Sequence, residues 1–160
     1  MTRFSADTRA QAVVAAPQDA IWDVLTDPAL VARLTPFVRR IGEQGHHWRW
    51  DLSGLSVLGV GFSPSFTELM DYDEPRRIEF RHDPPAGVSE RAAVAGWYEL
   101  AEVDAGTRLT TSLEVTVDLP LPRASRPAVR AAMTAVLAQM GERFSRNLLD
   151  HLDTTVVTGR

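Results

Sequence analysis

The feature that most constrains the fold is a long amphipathic segment near the C-terminus, which follows a series of strand-like segments. From about Arg126 to Asp153, apolar residues recur at spacings of three and four, the periodicity of one helix face. They are Val129, Met133, Val136, Leu137, Met140, Phe144, Leu148 and Leu152. A helix of this length has to bury that stripe, and the strands that precede it provide the surface.

The segments before this helix alternate apolar and polar residues, which is typical of half-buried strands. A first strand is predicted at 8–16, then two short helices, one after Pro17 and one from Pro28 to about Leu34. Further strands are predicted at 37–43, 46–52, 62–72, 76–82, 91–103 and 107–119, with a glycine-rich bend at 53–61. Because short turns connect these strands, an antiparallel meander is expected. One helix can cover so long a sheet only if the sheet curls, and a curled sheet leaves room for an apolar pocket.

Length and charge limit the class of protein. A chain of 160 residues suits a single domain, expected over 1–160 with an ordered core at about 8–153. A net charge of −4 argues against binding to nucleic acid, which favours a basic face. No apolar run reaches the roughly 18 residues that span a membrane, and the first ten residues lack a signal-peptide stretch. We therefore expect a cytoplasmic protein without stable membrane insertion, as a monomer or homodimer.

Two missing residue types limit the chemistry. The chain has no cysteine, which excludes disulfides and thiolate nucleophiles, and all 17 basic residues are arginine, which excludes Schiff-base lysines. His46 and His47 are adjacent and point to opposite faces of a strand, so they are poorly placed to bind one metal ion. We expect neither a metal nor another cofactor.

Three segments in order resemble a known superfamily. VVAAPQDAIWDVLTDPALVARL (Val13–Leu34), YDEPRRIEF (Tyr72–Phe80) and GWYELAEVDAGTRLTTSLEV (Gly96–Val115) are similar to the opening, the middle turn and the late hairpin of START/Bet v 1-like (SRPBCC) proteins. Val117–Pro122 and the glycine-rich 54–64 resemble an uncharacterised bacterial branch, and polyketide cyclase/dehydrase-like members are another. The resemblance implies an α+β helix-grip fold, with a curved antiparallel sheet of six to seven strands around the C-terminal helix. It also implies a central cavity for an apolar molecule.

Aromatic and flexible side chains are the expected lining of that cavity. Trp48 and Trp50 share a strand face, and the methionines of the last helix suit an adaptable wall. The predicted ligand-binding residues are Trp48, Trp50, Phe80, His82, Leu113, Met133, Leu137, Met140 and Phe144. Gly141 lies at the edge of the helix stripe, where it indicates either close packing on the sheet or space for a ligand.

Two polar residues are weak candidates for acid–base catalysis. His82 shares a strand face with Ile78 and Phe80, and could be a polar anchor or base, or a hydrogen-bonded residue at a strand end. Glu68 depends on strand register. The resemblance favours Leu69 pointing inward, which would make Glu68 a surface charge; the other register would bury it with a raised pKa.

Three functions remain open at this point. The first is binding of an apolar small molecule such as a lipid, isoprenoid or polyketide-like compound. The second is an enzyme of the polyketide cyclase, aromatase or dehydratase type, in which the pocket folds a reactive chain and one acid–base residue moves a proton. The third is a non-catalytic interaction module with a filled core. The sequence leaves it undetermined whether the protein is an enzyme.

Overall fold

The computed structural model describes residues 1–157 and shows one curved antiparallel sheet with three α-helices. Seven strands form the sheet in the order β1-β9-β8-β7-β6-β3-β2. The elements in chain order are β1 (Thr2–Val14), α1 (Gln18–Leu25), α2 (Pro28–Leu34), β2 (Val38–Gln44), β3 (His47–Leu52), β4 (Leu55–Val57), β5 (Val60–Phe62), β6 (Ser65–Asp73), β7 (Arg77–His82), β8 (Ala92–Val103), β9 (Gly106–Leu119) and α3 (Arg126–His151). This is the predicted α+β helix-grip arrangement.

The first strand differs most from its predicted bounds. It begins at Thr2 and ends at Val14, and it pairs with β9 along its whole length. Phe4 and Ala6 are buried on one face of this extension, so the alternation of the core face continues to the N-terminal end. The first strand thus forms one edge of the sheet, beside the last strand.

The glycine-rich segment predicted as a bend forms a small hairpin outside the main sheet. Its two strands, β4 and β5, meet at Leu58 and Gly59, whose φ angles of 49° and 81° are both positive. Two positive φ angles in a two-residue connection match the twist of a tight hairpin. Leu55 and Val57 are buried, so the hairpin packs on the interior although its tip is exposed.

The second short helix begins as its sequence predicts. The Asp27 carboxylate accepts a hydrogen bond from the backbone N–H of Leu30 at 3.1 Å, and Pro28 occupies the first helical position. The Asn147 side chain of α3 donates to the Leu34 carbonyl at 2.8 Å. These contacts fix α2 at the C-terminal half of α3.

The long helix is buried at its two ends and partly exposed in its middle. Val129 and Met133 near the start, and Leu148 near the end, are buried. The stripe residues between them, from Val136 to Phe144, are only half-buried. The helix therefore spans the concave side of the sheet with support at both ends. No helix within 1–157 is long and apolar enough to cross a membrane.

Candidate functional site

A cavity of about 550 Å³ lies between the middle of α3 and the concave face of the sheet. Its wall is mostly apolar and comes from the sheet, from α2, from α3 and from the β4–β5 hairpin. The buried core is divided, with one cluster around Ile21, Trp22 and Ile78 and another around Phe4, Leu119 and Val129. The interior is thus open between two packed regions, unlike the filled core of the third hypothesis.

Cross-strand pairing decides which side chains face this cavity. In an antiparallel sheet, directly paired residues point to the same face. Trp50 is paired with Phe66, and their rings are stacked at 5.7 Å between centroids. Phe80 is paired with Gly96, which is paired with Leu113. These rows place aromatic rings from β3, β6 and β7 on the cavity wall.

Gly96 enables the curvature of the sheet at this wall. A Cβ atom at this position would lie 2.0 Å from the Ser112 carbonyl oxygen and 3.1 Å from the Phe80 ring. The first distance is a clash with backbone, which no side-chain movement can relieve. Only glycine lets β8 and β9 approach this closely behind the aromatic wall.

Glu68 points into the cavity, so the prediction that it is a surface charge is wrong. It is 2% exposed and paired with Trp48 on one side and His82 on the other. The register follows the larger apolar set of β6, because Phe66, Met70 and Tyr72 share its face, while Thr67 and Leu69 take the other. Burial raises the pKa of the Glu68 carboxyl well above its usual value of 4.5.

Other polar groups accompany this carboxyl. Tyr98 of β8 lines the cavity, and burial together with the charge of Glu68 raises the pKa of its hydroxyl. The indole N–H of Trp50 is buried and has no hydrogen-bond partner within residues 1–157. Besides the Ser and Thr hydroxyls of the wall, the tyrosine hydroxyl and this indole N–H therefore accompany the carboxyl in a mostly apolar region, where an unpaired polar group is costly.

His82 does not line the cavity. Its Nε2 lies 2.8 Å from a carboxylate oxygen of Glu90, whose two oxygens also accept from the backbone N–H and the hydroxyl of Thr67. The Glu90 side chain is 6% exposed and the His82 side chain 26%. Through Glu90, the hydrogen bonds along β6 continue beyond the last residue of β7. Of the two interpretations of His82, the structure agrees with a hydrogen-bonded residue at the end of a strand.

The middle of α3 leaves space rather than filling it. A Cβ atom added to Gly141 would meet nothing within 4 Å, and Gly141 itself borders the cavity. The interpretation of close helix–sheet packing at Gly141 is therefore wrong, because the residue is exposed and its Cβ position is open. Met140 and Phe144 lie on either side of it on the cavity wall.

A second depression, of about 420 Å³, lies at β6 and β7. It is open to solvent, and its lining includes Asp71, Glu79 and Arg81, all of which are exposed. Within residues 1–157, no three histidine or acidic side chains converge in the manner of a metal site. The cavity under α3 is thus the stronger candidate site.

The structure brings most of the predicted lining residues together. Those on the cavity wall are Trp50, Phe80, Leu113, Met133, Leu137, Met140 and Phe144. Trp48 is buried in the core beside the cavity, and His82 lies outside it. Sequence reasoning missed Tyr98 and the β4–β5 hairpin residues Leu55, Val57 and Phe62. Tyr98 was detectable, because by alternation it shares a face of β8 with the apolar residues Val94 and Leu100.

Solved structures of low sequence identity share this fold. The Zhui aromatase/cyclase from Streptomyces sp. R1128 is 18% identical, with a TM-score of 0.66 over 95% of this chain and 94% of that one. A START superfamily protein from Mycobacterium smegmatis is 17% identical, with a TM-score of 0.62 over 93% of this chain and 97% of that one.

A two-domain protein shows the same fold in half its length. The di-domain aromatase/cyclase StfQ from the steffimycin biosynthetic pathway is 14% identical, with a TM-score of 0.67 over 94% of this chain and 51% of that one. At these identities, the three comparisons establish the fold alone. No curated protein sequence is significantly similar to this chain.

Membership of a family rests on the sequence itself. The family model described as polyketide cyclase/dehydrase and lipid transport matches residues 5–156, from the first strand to the residues after α3. The match includes every element that borders the cavity. This chain therefore belongs to the polyketide cyclase/dehydrase and lipid transport family.

Proposed function

We propose that the protein binds a mainly apolar small molecule, of lipid or polyketide-like character, in the cavity under α3. The observation that carries this proposal is the cavity itself, which measures about 550 Å³ and has a mostly apolar wall. Ligand sites in proteins usually measure about 300–1,000 Å³ and combine such a wall with a few polar groups. Glu68 and Tyr98 are polar groups of this kind.

The wall is also suited to ligands of irregular shape. Met133 and Met140 are flexible and polarisable, and Trp50 and Phe66 present ring surface for stacking. The middle of α3 is half-buried, so a small movement of this part would widen the opening without displacing the buried ends. These properties fit reversible binding of a compact apolar molecule.

Dye binding with a blocked cavity tests the proposal. The uncharged dye N-phenyl-1-naphthylamine is expected to gain fluorescence with the wild-type protein. Gly141→Leu would place a side chain at the cavity edge and weaken binding, although leucine favours the helix by roughly 1 kcal/mol over glycine. Ala135→Leu adds a similar side chain on the exposed face of α3, outside the cavity wall, and is the matched control.

The variants separate loss of the cavity from loss of the fold. A Gly141→Leu protein that melts no lower than wild type and binds the dye more weakly supports the proposal, provided that Ala135→Leu binds normally. Equal binding by all three proteins, or no binding by wild type, would contradict it. Native mass spectrometry of the purified protein would show whether a molecule is retained.

The burial of the Glu68 carboxyl favours a second candidate function, which is catalysis. A buried carboxyl with a raised pKa can act as a general acid close to neutral pH. In a cyclisation, Glu68 would donate its proton to the carbonyl oxygen as the enol carbon of the same chain attacks, and its carboxylate would recover the proton that the enol oxygen releases. In the dehydration that follows, it would donate to the hydroxyl that leaves as water and take up the proton lost from the adjacent carbon. Glu68→Gln should then abolish any acceleration of the cyclisation of a 1,3,5-triketone while dye binding persists. The absence of acceleration by wild type would remove this candidate.

A further inference from the structure

We infer that the cavity wall at Glu68 is a hydrogen-bond-donor subsite, which takes a carbonyl or hydroxyl oxygen of an otherwise apolar and uncharged ligand. The inference rests on the proposed binding function and adds the class and orientation of the ligand. It depends on the geometry around Glu68 and on the types of side chain that share its cavity.

The Glu68 carboxyl has no internal partner. Within residues 1–157 it forms no hydrogen bond or ion pair, and burial alone shifts its pKa upward. Buried polar side chains are usually hydrogen-bonded, since an unsatisfied one costs about 1–3 kcal/mol. An unpartnered carboxyl on a cavity wall is therefore available to a group that arrives with a ligand.

The cavity provides no positive charge. Among residues 1–157, Glu68 and Glu142 are the only charged residues on its wall, and no arginine of this range lies there. An anionic ligand such as a fatty acid would meet the buried Glu68 carboxyl without an arginine on the wall, since Glu142 is exposed and paired with Arg146 at 3.6 Å. A ligand with a charged acid group is therefore disfavoured, and an uncharged polar group is favoured.

Two further groups of the wall can donate to an acceptor on the ligand, while its Ser and Thr hydroxyls can donate or accept. A protonated carboxyl donates through its O–H, and Tyr98 provides a second hydroxyl on the same wall. The indole of Trp50, which borders the cavity, has a buried N–H without a partner, and an indole can only donate. A ketone or hydroxyl oxygen is the ligand group that several such donors recognise.

The titratable groups near Glu68 do not reverse this conclusion. His82, its pair on β7, is bonded to Glu90. Tyr98 on β8 and Tyr72 on β6 both have a raised pKa, to about 12 for Tyr72, where burial is the main cause and the charges of Glu43 and Glu68 add to it. Both phenols thus stay protonated at neutral pH.

A series of matched naphthalenes tests the inference by displacement of N-phenyl-1-naphthylamine at pH 7. 2-Acetylnaphthalene carries an acceptor oxygen, 2-ethylnaphthalene is its apolar counterpart, 2-naphthoate is anionic and 2-naphthylmethylammonium is cationic. The quantity compared is the ratio of the affinity for the ketone to the affinity for the ethyl compound. One added neutral hydrogen bond should make this ratio about 2- to 10-fold higher in wild type than in Glu68→Leu. The naphthoate should bind most weakly.

Glu68→Gln is the matched control, because its amide is uncharged and still donates. It should keep the preference for the ketone, whereas Glu68→Leu should lose it. Binding of 2-ethylnaphthalene by each variant reports that its cavity is intact. If the ratio of ketone affinity to ethyl affinity is equal in wild type and Glu68→Leu, this inference is overturned but the proposed binding function is not. A preference of wild type for the ammonium would overturn it too, since it would indicate an ionised carboxylate.

Failure of the binding function gives a different result. If neither the dye nor any of the four naphthalenes binds to the wild-type protein, the proposed function is overturned and the inference falls with it. If the ethyl compound binds but the oxygen of the ketone adds nothing, the cavity binds apolar molecules and only the donor subsite is rejected.

Discussion

Glu68 and Trp48 are directly paired on neighbouring strands, so a carboxyl without a partner among residues 1–157 lies beside a buried indole. Both side chains are almost completely buried, at 2% and 1% exposure. A carboxyl buried without a partner reduces stability, and proteins usually retain such groups where function requires them. This relationship makes the β3–β6 part of the cavity wall the most informative place for mutation.

The stability of the protein should fall as the pH rises, because of Glu68. Its pKa is near the usual value of 4.5 in the unfolded chain and well above it in the folded protein. Below 4.5 the carboxyl is protonated in both states. Above 4.5 the unfolded state loses the proton first, so unfolding becomes more favourable until the pH passes the folded pKa. Urea titrations between pH 4 and pH 8 would measure this.

Glu68→Gln isolates that effect from other titrating groups. The variant has nearly the same shape and no charge, so its free energy of unfolding relative to wild type should increase with pH above 4.5. At pH 4 the two proteins should be similar. A difference that stays constant over the whole range would mean that Glu68 ionises normally in the folded state.

Most of the fold was predictable because its signals are local. Alternation in β3 and β7, the Asp27–Pro28 helix start and the stripe of α3 each identify one element without knowledge of the rest. The orientation of Glu68 was not predictable in this way. It depends on which residues of β3 and β7 pair with β6, and a shift of one residue reverses every side chain of the strand.

Local sequence patterns could not predict the open position at Gly141 either. A glycine in a helix indicates close packing or an empty position with equal ease, and only the distance to the sheet distinguishes them. His82 shows the same limit, since its partner Glu90 is on a loop whose path no periodicity predicts. The polar groups of the site could therefore be assigned only from tertiary contacts, although the apolar residues of the wall could be recognised in the sequence.

Trp50 should report occupancy of the cavity by its fluorescence. It borders the cavity, whereas Trp97 lies on the opposite face of β8 from Tyr98, with the guanidinium of Arg77 4.8 Å from the centre of its ring. Addition of 2-ethylnaphthalene should therefore change the emission of wild type, and Trp50→Phe should remove most of that change. Trp97→Phe should leave it intact. A response that disappears with Trp97 would place binding on the outer face.

Leucines of α3 should differ sharply in their contribution to stability. Leu148 is buried at 2% exposure and supports the C-terminal end of the helix against Val24 and Leu34. Leu148→Ala should cost about 2–5 kcal/mol, since it leaves a void in a packed cluster. Leu137 already faces the cavity and is half-buried, so Leu137→Ala should cost about 1 kcal/mol. Equal losses in urea denaturation would show that the middle of α3 is packed as firmly as its ends.

Glu90 should stabilise the fold without contributing to the cavity. Its carboxylate accepts from the Thr67 N–H and hydroxyl and pairs with His82, so Glu90→Ala leaves the N–H of a buried residue without a partner. We expect a loss of about 1–3 kcal/mol in the free energy of unfolding. Binding of N-phenyl-1-naphthylamine below the melting temperature should be unchanged, because Glu90 is not on the cavity wall.

Asp83→Ala is the matched comparison for that variant. Asp83 also pairs with a histidine, His47, at 2.8 Å, and this hydrogen bond lowers the pKa of its carboxyl. Both groups of this pair are well exposed to water, which weakens their interaction. The melting temperature should therefore fall less than in Glu90→Ala. A larger fall in Asp83→Ala would mean that the exposed pair, rather than the buried Glu90 cluster, fixes the loop between β7 and β8.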